Sequence, residues 1–245
     1  MLPADLLTSS LAIAAGVGLA AGIMKGYTGF GTGLVTIPIY SVMFGPVNAV
    51  AMALLLDSCA TAQLLPRALP QCNWRLVGPL IAASVPTLPL GVYILVTTDA
   101  EIMRRVIAAA VTFFALVMLS GWRYRGEQRP AASVGVGAVA GLVSGSTGMG
   151  GPVFVLYILS NREGAARNRA SIILLAVTMV SYFFFVMLLN DAIRVETLWR
   201  TAVLAPVLIF GTWVGSRLFL SSSDVVFHRM ALAFVLAVGI TALVV

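Results

Sequence analysis

Long uninterrupted apolar blocks dominate this chain of 245 residues. Six blocks carry at most one charged residue each: 47–65, 76–98, 106–122, 170–189, 201–216 and 230–245. Each is close to the roughly 17–25 residues that an α-helix needs to cross a hydrocarbon core of about 30 Å. Backbone N–H and C=O groups cannot stay unpaired in lipid, so the blocks are predicted to be helices. The pattern therefore predicts an all-α integral membrane protein.

The composition agrees with a lipid environment. Hydrophobic residues make up 60% of the chain and charged residues 10%, whereas roughly a quarter of a soluble domain is charged. The net charge of +6 comes from arginines spread over short loops, which favours orientation in a membrane over binding of nucleic acid. Two cysteines without CxxC spacing and a single histidine argue against a metal site, and no cofactor is expected. The opening MLPADLL lacks a basic n-region, so the first apolar stretch is predicted to be a retained helix.

Four features of the first half recur in the same order in the second half, 119 to 125 residues later. They are Gly22 and Gly141, GYTGFG at 26–31 and GSTGMG at 145–150, Trp74-Arg75 and Trp199-Arg200, and the pairs Asp99/Arg104 and Asp224/Arg229. Such recurrence indicates a duplication. It predicts an amino-terminal transmembrane repeat over 1–122, a basic cytoplasmic linker over 123–131 and a carboxy-terminal repeat over 132–245.

Each half contains five apolar segments, of which the first pair is short or interrupted by glycine. The segments are 6–24, 33–45, 47–65, 74–98 and 103–122, then 132–144, 152–160, 168–190, 197–219 and 229–245. With the amino terminus outside, ten arginines fall in inside loops and four in outside loops, as the positive-inside rule requires. Five is an odd number, so the two halves would be inverted repeats, as in many secondary transporters.

The glycine motifs are predicted to break the short helices near the bilayer midplane, which is where transporters bind substrate. Helices that restart near Gly33 and Pro152 would present unpaired N–H groups, and two such positive ends favour an anion. The alternative is that the glycines only let helices pack closely. The predicted substrate-binding residues are Lys25, Gly26, Tyr27, Thr28, Gly29, Phe30, Gly31, Thr32, Gly33, Gly145, Ser146, Thr147, Gly148, Met149, Gly150, Gly151 and Pro152.

Two charged residues lie well inside apolar segments, where an unpaired charge is strongly disfavoured. Lys25, the sole lysine, directly precedes the first motif, and Asp57 lies in the middle of 47–65. Lys25 either attracts the anion or snorkels to an interface. Asp57 is considered for proton coupling, with a structural bond to Lys25 or a helix-capping hydrogen bond as the alternatives.

The stretches GFGTGLVTIPIY (29–40) and GMGGPVFVLYIL (148–159) resemble the paired glycine signatures of the sulfite exporter TauE/SafE-type permeases, also called the toluene-sulfonate uptake permease family. Thr32 departs from the pattern, since a further glycine is common there. The resemblance implies a multi-pass protein of the inner membrane that transports sulfite, sulfoacetate or another sulfonate by alternating access. The residues themselves imply only a small anion, so carboxylate or thiosulfate, and uptake or a channel, stay open as alternatives.

An enzyme is not expected, because one histidine (His228, near a loop) and one intramembrane acid form no catalytic constellation. A structural partner protein would not need paired glycine motifs. The direction of transport, the coupling ion and the oligomeric state stay open at this point.

Overall fold

The computed structural model describes residues 9–28, 30–68, 70, 72–120, 124, 126, 128–160 and 165–219. Within these ranges the chain forms helices and no strands, which confirms the predicted all-α class. The helices are α1 (Ser9–Thr28), α2 (Thr32–Phe44), α3 (Pro46–Ala68), α4 (Trp74–Thr97), α5 (Ala100–Leu119), α6 (Pro130–Thr147), α7 (Gly151–Ile158), α8 (Ala165–Leu189) and α9 (Val195–Phe219). The predicted segment 229–245 lies outside the described residues.

Four of the described helices are long and apolar enough to cross a membrane. The qualifying stretches are Ser10–Tyr27, Trp74–Thr97, Ala170–Leu189 and Val195–Leu218. Together with the shorter apolar helices Thr32–Phe44 and Pro46–Thr61, they make this chain a membrane protein.

Helix ends follow local sequence signals. The Asn73 side chain caps α4 by accepting hydrogen bonds from the Arg75 and Leu76 amides at 3.1 and 3.3 Å. Pro130 opens α6, where a missing N–H costs nothing. Gly31 and Gly148 have φ angles of 103° and 73°, a left-handed conformation that glycine adopts without strain. These two glycines mark where the chain breaks within each motif.

The breaks are the tips of two helical hairpins. α2 returns alongside α1, as shown by the hydrogen bond of 2.8 Å that the Tyr40 hydroxyl donates to the Ala14 carbonyl. α7 returns alongside α6, as shown by the hydrogen bond of 2.8 Å between the Ser133 and Tyr157 hydroxyls. The returning helices have 13 and 8 residues, about 20 and 12 Å at 1.5 Å per residue. Neither is long enough to cross a bilayer core.

The first glycine of each motif lies inside a helix and not at the break. α1 continues past the predicted end at residue 24 to Thr28 and so includes Gly26, while α6 includes Gly145. A Cβ atom at Gly26 would lie 2.7 Å from the Ser216 backbone nitrogen, and one at Gly145 would lie 2.7 Å from that of Val92. Glycine permits this close helix contact. At these two positions the glycines thus serve close helix packing, the alternative considered for the motifs.

The helices form two tightly packed outer pairs around a central group. α1 packs along α9, and α4 packs along α6. Between them, α3 packs against α2 and α8, and α7 packs against α6 and α8. The main hydrophobic core includes buried residues of α2, α3, α7 and α8. The central group therefore holds both hairpin tips.

Candidate functional site

A cavity of about 110 Å³ lies between the two hairpin tips, α3 and α8. Eleven of the residues predicted from the motifs or considered for coupling line it: Lys25, Phe30, Gly31, Thr32, Gly33, Asp57, Gly148, Met149, Gly150, Gly151 and Pro152. Most of its remaining wall is apolar, from Leu34 and Ile37 of α2 to Met179 and Phe183 of α8. Residues from the glycine motifs of both halves thus line the same cavity.

The two tips touch each other at this cavity. A Cβ atom at Gly33 would lie 3.2 Å from the Gly148 carbonyl oxygen, and one at Gly148 would lie 2.5 Å from the Ile37 side chain. The first turn of α2 (Thr32–Leu34) and the start of α7 (Gly151, Pro152) both form part of the wall. The first turn of a helix leaves N–H groups without intrahelical partners and carries partial positive charge. The wall therefore combines two helix ends suited to an anion.

Thr32 supplies a hydroxyl at the same place. Its side chain is fully buried, and its Oγ1 has no hydrogen-bond partner in the described part of the chain. Leaving a buried polar group unsatisfied costs about 1–3 kcal/mol. A ligand oxygen in the cavity would relieve that cost by accepting a hydrogen bond. The residue at which the motif departs from its usual glycine is thus a candidate ligand-binding group.

Lys25 and Asp57 form an ion pair at the cavity wall. The Lys25 Nζ atom lies 2.6 Å from Asp57 Oδ1, and the two side chains are 1% and 17% exposed. The Thr61 hydroxyl donates a 3.3 Å hydrogen bond to Asp57 Oδ2. The predicted pairing of the two intramembrane charges is confirmed. Because Lys25 is buried against its partner, it does not snorkel to an interface.

Several predicted ligands lie away from the cavity. Gly26, Tyr27 and Gly145 are buried within α1 or α6 and do not line it. The Ser146 and Thr147 hydroxyls donate to the Leu142 and Val143 carbonyls, each at 2.9 Å. Ser146 and Thr147 border a separate apolar groove between α5, α6 and α7. Gly29 and the Thr28 side chain lie outside what the structure describes.

Two cavity residues missed by the sequence reasoning occupy matching positions in the second half. Ser144 lies 119 residues after Lys25, and Ala176 lies 119 residues after Asp57; both line the cavity. The interval is the same as between the glycine motifs, so this spacing was the available signal. The second half carries an uncharged residue at each position where the first half carries a charge.

The α3 and α8 walls follow a helical period. Val50, Ala53, Leu54 and Asp57 stand at positions i, i+3, i+4 and i+7 of α3. On α8 the lining residues are Ile172, Leu175, Ala176, Met179, Val180 and Phe183. Within the described ranges no group of three or more His, Cys, Asp or Glu residues lies close enough to hold a metal ion. The site as described offers one ammonium, one carboxylate, hydroxyls and backbone amides in an apolar setting.

Comparison with protein families gives one match. The model of the family described as sulfite exporter TauE/SafE matches residues 14–242, nearly the whole chain. Neither the curated proteins nor the solved structures give a significant match.

Proposed function

We propose, from the premise that this chain belongs to the sulfite exporter TauE/SafE family, that it carries a small sulfur oxyanion such as sulfite or a sulfonate across the membrane by alternating access. The observation that carries the proposal is the convergence of both hairpin tips with Lys25 and Thr32 on one cavity. Members of this family are membrane transporters, which supports the proposal.

The cavity suits an anion because it combines an ammonium group, a hydroxyl group and helix amino termini. Lys25 supplies a full charge, Thr32 an unpartnered hydroxyl, and the starts of α2 and α7 supply backbone dipoles. Glycine at positions 31, 148, 150 and 151 leaves the backbone open to close approach. The apolar side chains around these groups exclude water and strengthen each polar contact. A small anion is therefore held by few but strong interactions.

Inverted repeats would give the alternating access. The ends of α1 and α6, the starts of α2 and α7, and the starts of α3 and α8 each differ by 119 residues. Under that correspondence α1 matches α6 and α4 matches α9, so the contact of α1 with α9 is equivalent to the contact of α6 with α4. Helix α3 packs against its own equivalent, α8. Such contacts are expected of two halves related by a two-fold axis, and they support the duplication. Rocking of one half against the other would expose the cavity to each side in turn.

The arginine distribution supports an orientation with both termini outside and the 123–131 linker in the cytoplasm. Helical hairpins that return to their own side leave this orientation unchanged. We place the protein in the inner membrane, as a multi-pass transporter whose net direction is set by the gradients of substrate and coupling ion.

Counterflow in proteoliposomes tests the proposal. Vesicles loaded with sulfite, methanesulfonate, sulfoacetate, thiosulfate or acetate are mixed with the labelled anion outside, and exchange is measured. We expect fastest exchange with a sulfur oxyanion. Lys25→Gln and Thr32→Val should weaken it, while Thr112→Val should not, because the Thr112 hydroxyl lies on α5 outside the cavity and donates to the Ala108 carbonyl.

Preference for acetate over every sulfur anion would assign the cavity to a carboxylate. Exchange of none of the five anions by correctly inserted protein would overturn the proposal.

A further inference from the structure

The Lys25–Asp57 pair poses a charge problem for anion binding. The pair is buried and neutral as a unit, since one ammonium faces one carboxylate at 2.6 Å. A monoanion added to this cavity would leave a net negative charge among apolar side chains. Unbalanced charge is strongly disfavoured inside a membrane protein, because the surroundings cannot solvate it. Something must compensate the incoming charge.

Asp57 is the group through which compensation can occur. Its Oδ1 accepts from Lys25 and its Oδ2 from Thr61. It lines the cavity and is 17% exposed, whereas Lys25 is 1% exposed. The Asp57 carboxylate is therefore more accessible to a proton from the cavity than the Lys25 ammonium is. Protonation of Asp57 would remove the negative partner of Lys25 and leave the ammonium facing the cavity.

No second charged group of the described chain lies within ion-pairing distance of Asp57. Among the helices that contact α3, α1 carries Lys25 and the buried Tyr27, and α2 carries Tyr40, whose hydroxyl donates to the Ala14 carbonyl. The ionisable side chains that the structure describes on the other contacting helices are Arg75 and Tyr93 on α4, Glu101, Arg104 and Arg105 on α5, Arg167 and Tyr182 on α8, and Glu196, Arg200 and Arg217 on α9.

These other groups have their own surroundings. Glu101 pairs with Arg104 and Arg105. The Arg200 and Arg217 guanidinium groups lie over the rings of Phe44 and Trp213, and the Tyr182 hydroxyl donates to the Val85 carbonyl. Arg75, Tyr93, Arg167 and Glu196 are exposed residues. The ionic partner of Asp57 in the described chain is thus Lys25.

We infer, on the basis of the proposed anion site, that Asp57 binds one proton for each monoanion bound, so that the anion replaces the Asp57 carboxylate as the partner of Lys25. The step is balanced. Before binding, the Lys25 ammonium and the Asp57 carboxylate sum to zero charge. After binding, the ammonium and the anion sum to zero, and Asp57 is a neutral acid whose added proton comes from solution. The pair therefore links anion transport to proton movement in the same direction, and a monoanion is carried without net charge.

The inference predicts how affinity depends on pH. If one proton is taken up with each anion, the dissociation constant rises about tenfold per pH unit wherever free Asp57 is ionised. The probe is methanesulfonate, with ethanesulfonate as a second probe, because both are monoanions of strong acids and stay ionised throughout the neutral pH range. Binding to the purified full chain is measured by calorimetry across this range. Proton uptake is recorded in weakly buffered solution with an indicator dye.

Wild-type protein should take up one proton per methanesulfonate. Asp57→Asn, which keeps a similar shape, should bind the anion with a pH-independent affinity and take up none. In vesicles this variant should keep counterflow but lose accumulation driven by a pH gradient. The control is Glu101→Gln, which neutralises an exposed acid paired with Arg104 and Arg105 and should retain the wild-type pH slope.

The outcomes separate the inference from the proposed function. Methanesulfonate or ethanesulfonate bound by wild-type protein without proton uptake would refute the inference and leave the anion site standing. An unchanged pH slope in Asp57→Asn would refute it as well. Binding of neither probe at any pH would overturn both. The wild-type measurement needs no variant, so it decides the question even if Asp57→Asn does not fold.

Discussion

Replacing Gly151 by alanine should weaken anion binding while the protein stays folded. Gly151 opens α7 and lines the cavity, and a Cβ atom added there has no neighbour within 4 Å. The new methyl group therefore clashes with nothing and extends into the space that the substrate needs. An alanine before proline is somewhat disfavoured in a helix, but loss of glycine flexibility in the unfolded chain offsets this by about 0.4–1 kcal/mol.

The magnitude follows from the size of the cavity. A methyl group takes up about as much space as one water, and the cavity of about 110 Å³ is small enough for that loss to matter. Overfilling a fitted site costs about 1–3 kcal/mol, which corresponds to a roughly 5- to 150-fold higher half-saturation constant. The assay is counterflow in proteoliposomes over a range of substrate concentrations, with thermal unfolding of the purified variant measured in parallel.

Two glycines of α6 provide matched controls. Gly135→Ala places its methyl group in open space outside the cavity, so it should leave transport unchanged and raise stability by about 0.4–1 kcal/mol. Gly145→Ala should lower stability by about 1–3 kcal/mol, because its Cβ would lie 2.8 Å from the Gly91 Cα atom in the contact with α4. A wild-type half-saturation constant for Gly151→Ala would show that the substrate does not occupy this cavity.

Three further predictions concern the ion pair, the buried hydroxyl and the topology. Lys25→Met or Asp57→Leu alone should lower the free energy of unfolding by about 3–5 kcal/mol, as measured by denaturation, and the double variant should recover most of that loss. An equal loss in the double variant would contradict an ionic cause. Thr32→Val should raise thermal stability slightly, because an unsatisfied polar atom is removed, yet weaken substrate binding by about 1–3 kcal/mol. Thr112→Val, whose hydroxyl donates to the Ala108 carbonyl outside the cavity, should leave binding unchanged, and equal effects of the two would contradict the assignment. Reporter fusions should place the carboxy terminus outside and the 123–130 loop in the cytoplasm. Signals from the same side of the membrane at both sites would exclude inverted repeats.

The helices and their break points could be predicted from the sequence, because both depend on local chemistry. Apolar length predicts the long helices, and the predicted restarts near Gly33 and Pro152 each lie one residue from the observed starts of α2 and α7. The path of the chain after each break could not be predicted. Whether a helix continues in line or returns as a hairpin depends on tertiary contacts such as the hydrogen bond from Tyr40 to Ala14.

Residues of the candidate site could be predicted only where the residue type is energetically unfavourable in lipid. Burying a charge without a partner is expensive, and that reasoning led to the Lys25–Asp57 pair. Apolar lining residues such as Leu175 and Met179 carry no such signal, because a cavity wall and a packed core have the same composition. For glycine, the sequence did not distinguish the packing position at 145 from the cavity position at 151, since both roles require a missing side chain.

Both charged residues of the cavity belong to one half of the chain. Lys25 and Asp57 correspond by the 119-residue interval to Ser144 and Ala176, which line the same cavity without charge. Under the exchange of partners that we infer, a second ion pair would need a second anion and a second proton. A single ion pair therefore matches the inferred cycle of one anion and one proton, while the two repeats supply the two hairpin tips that line the cavity.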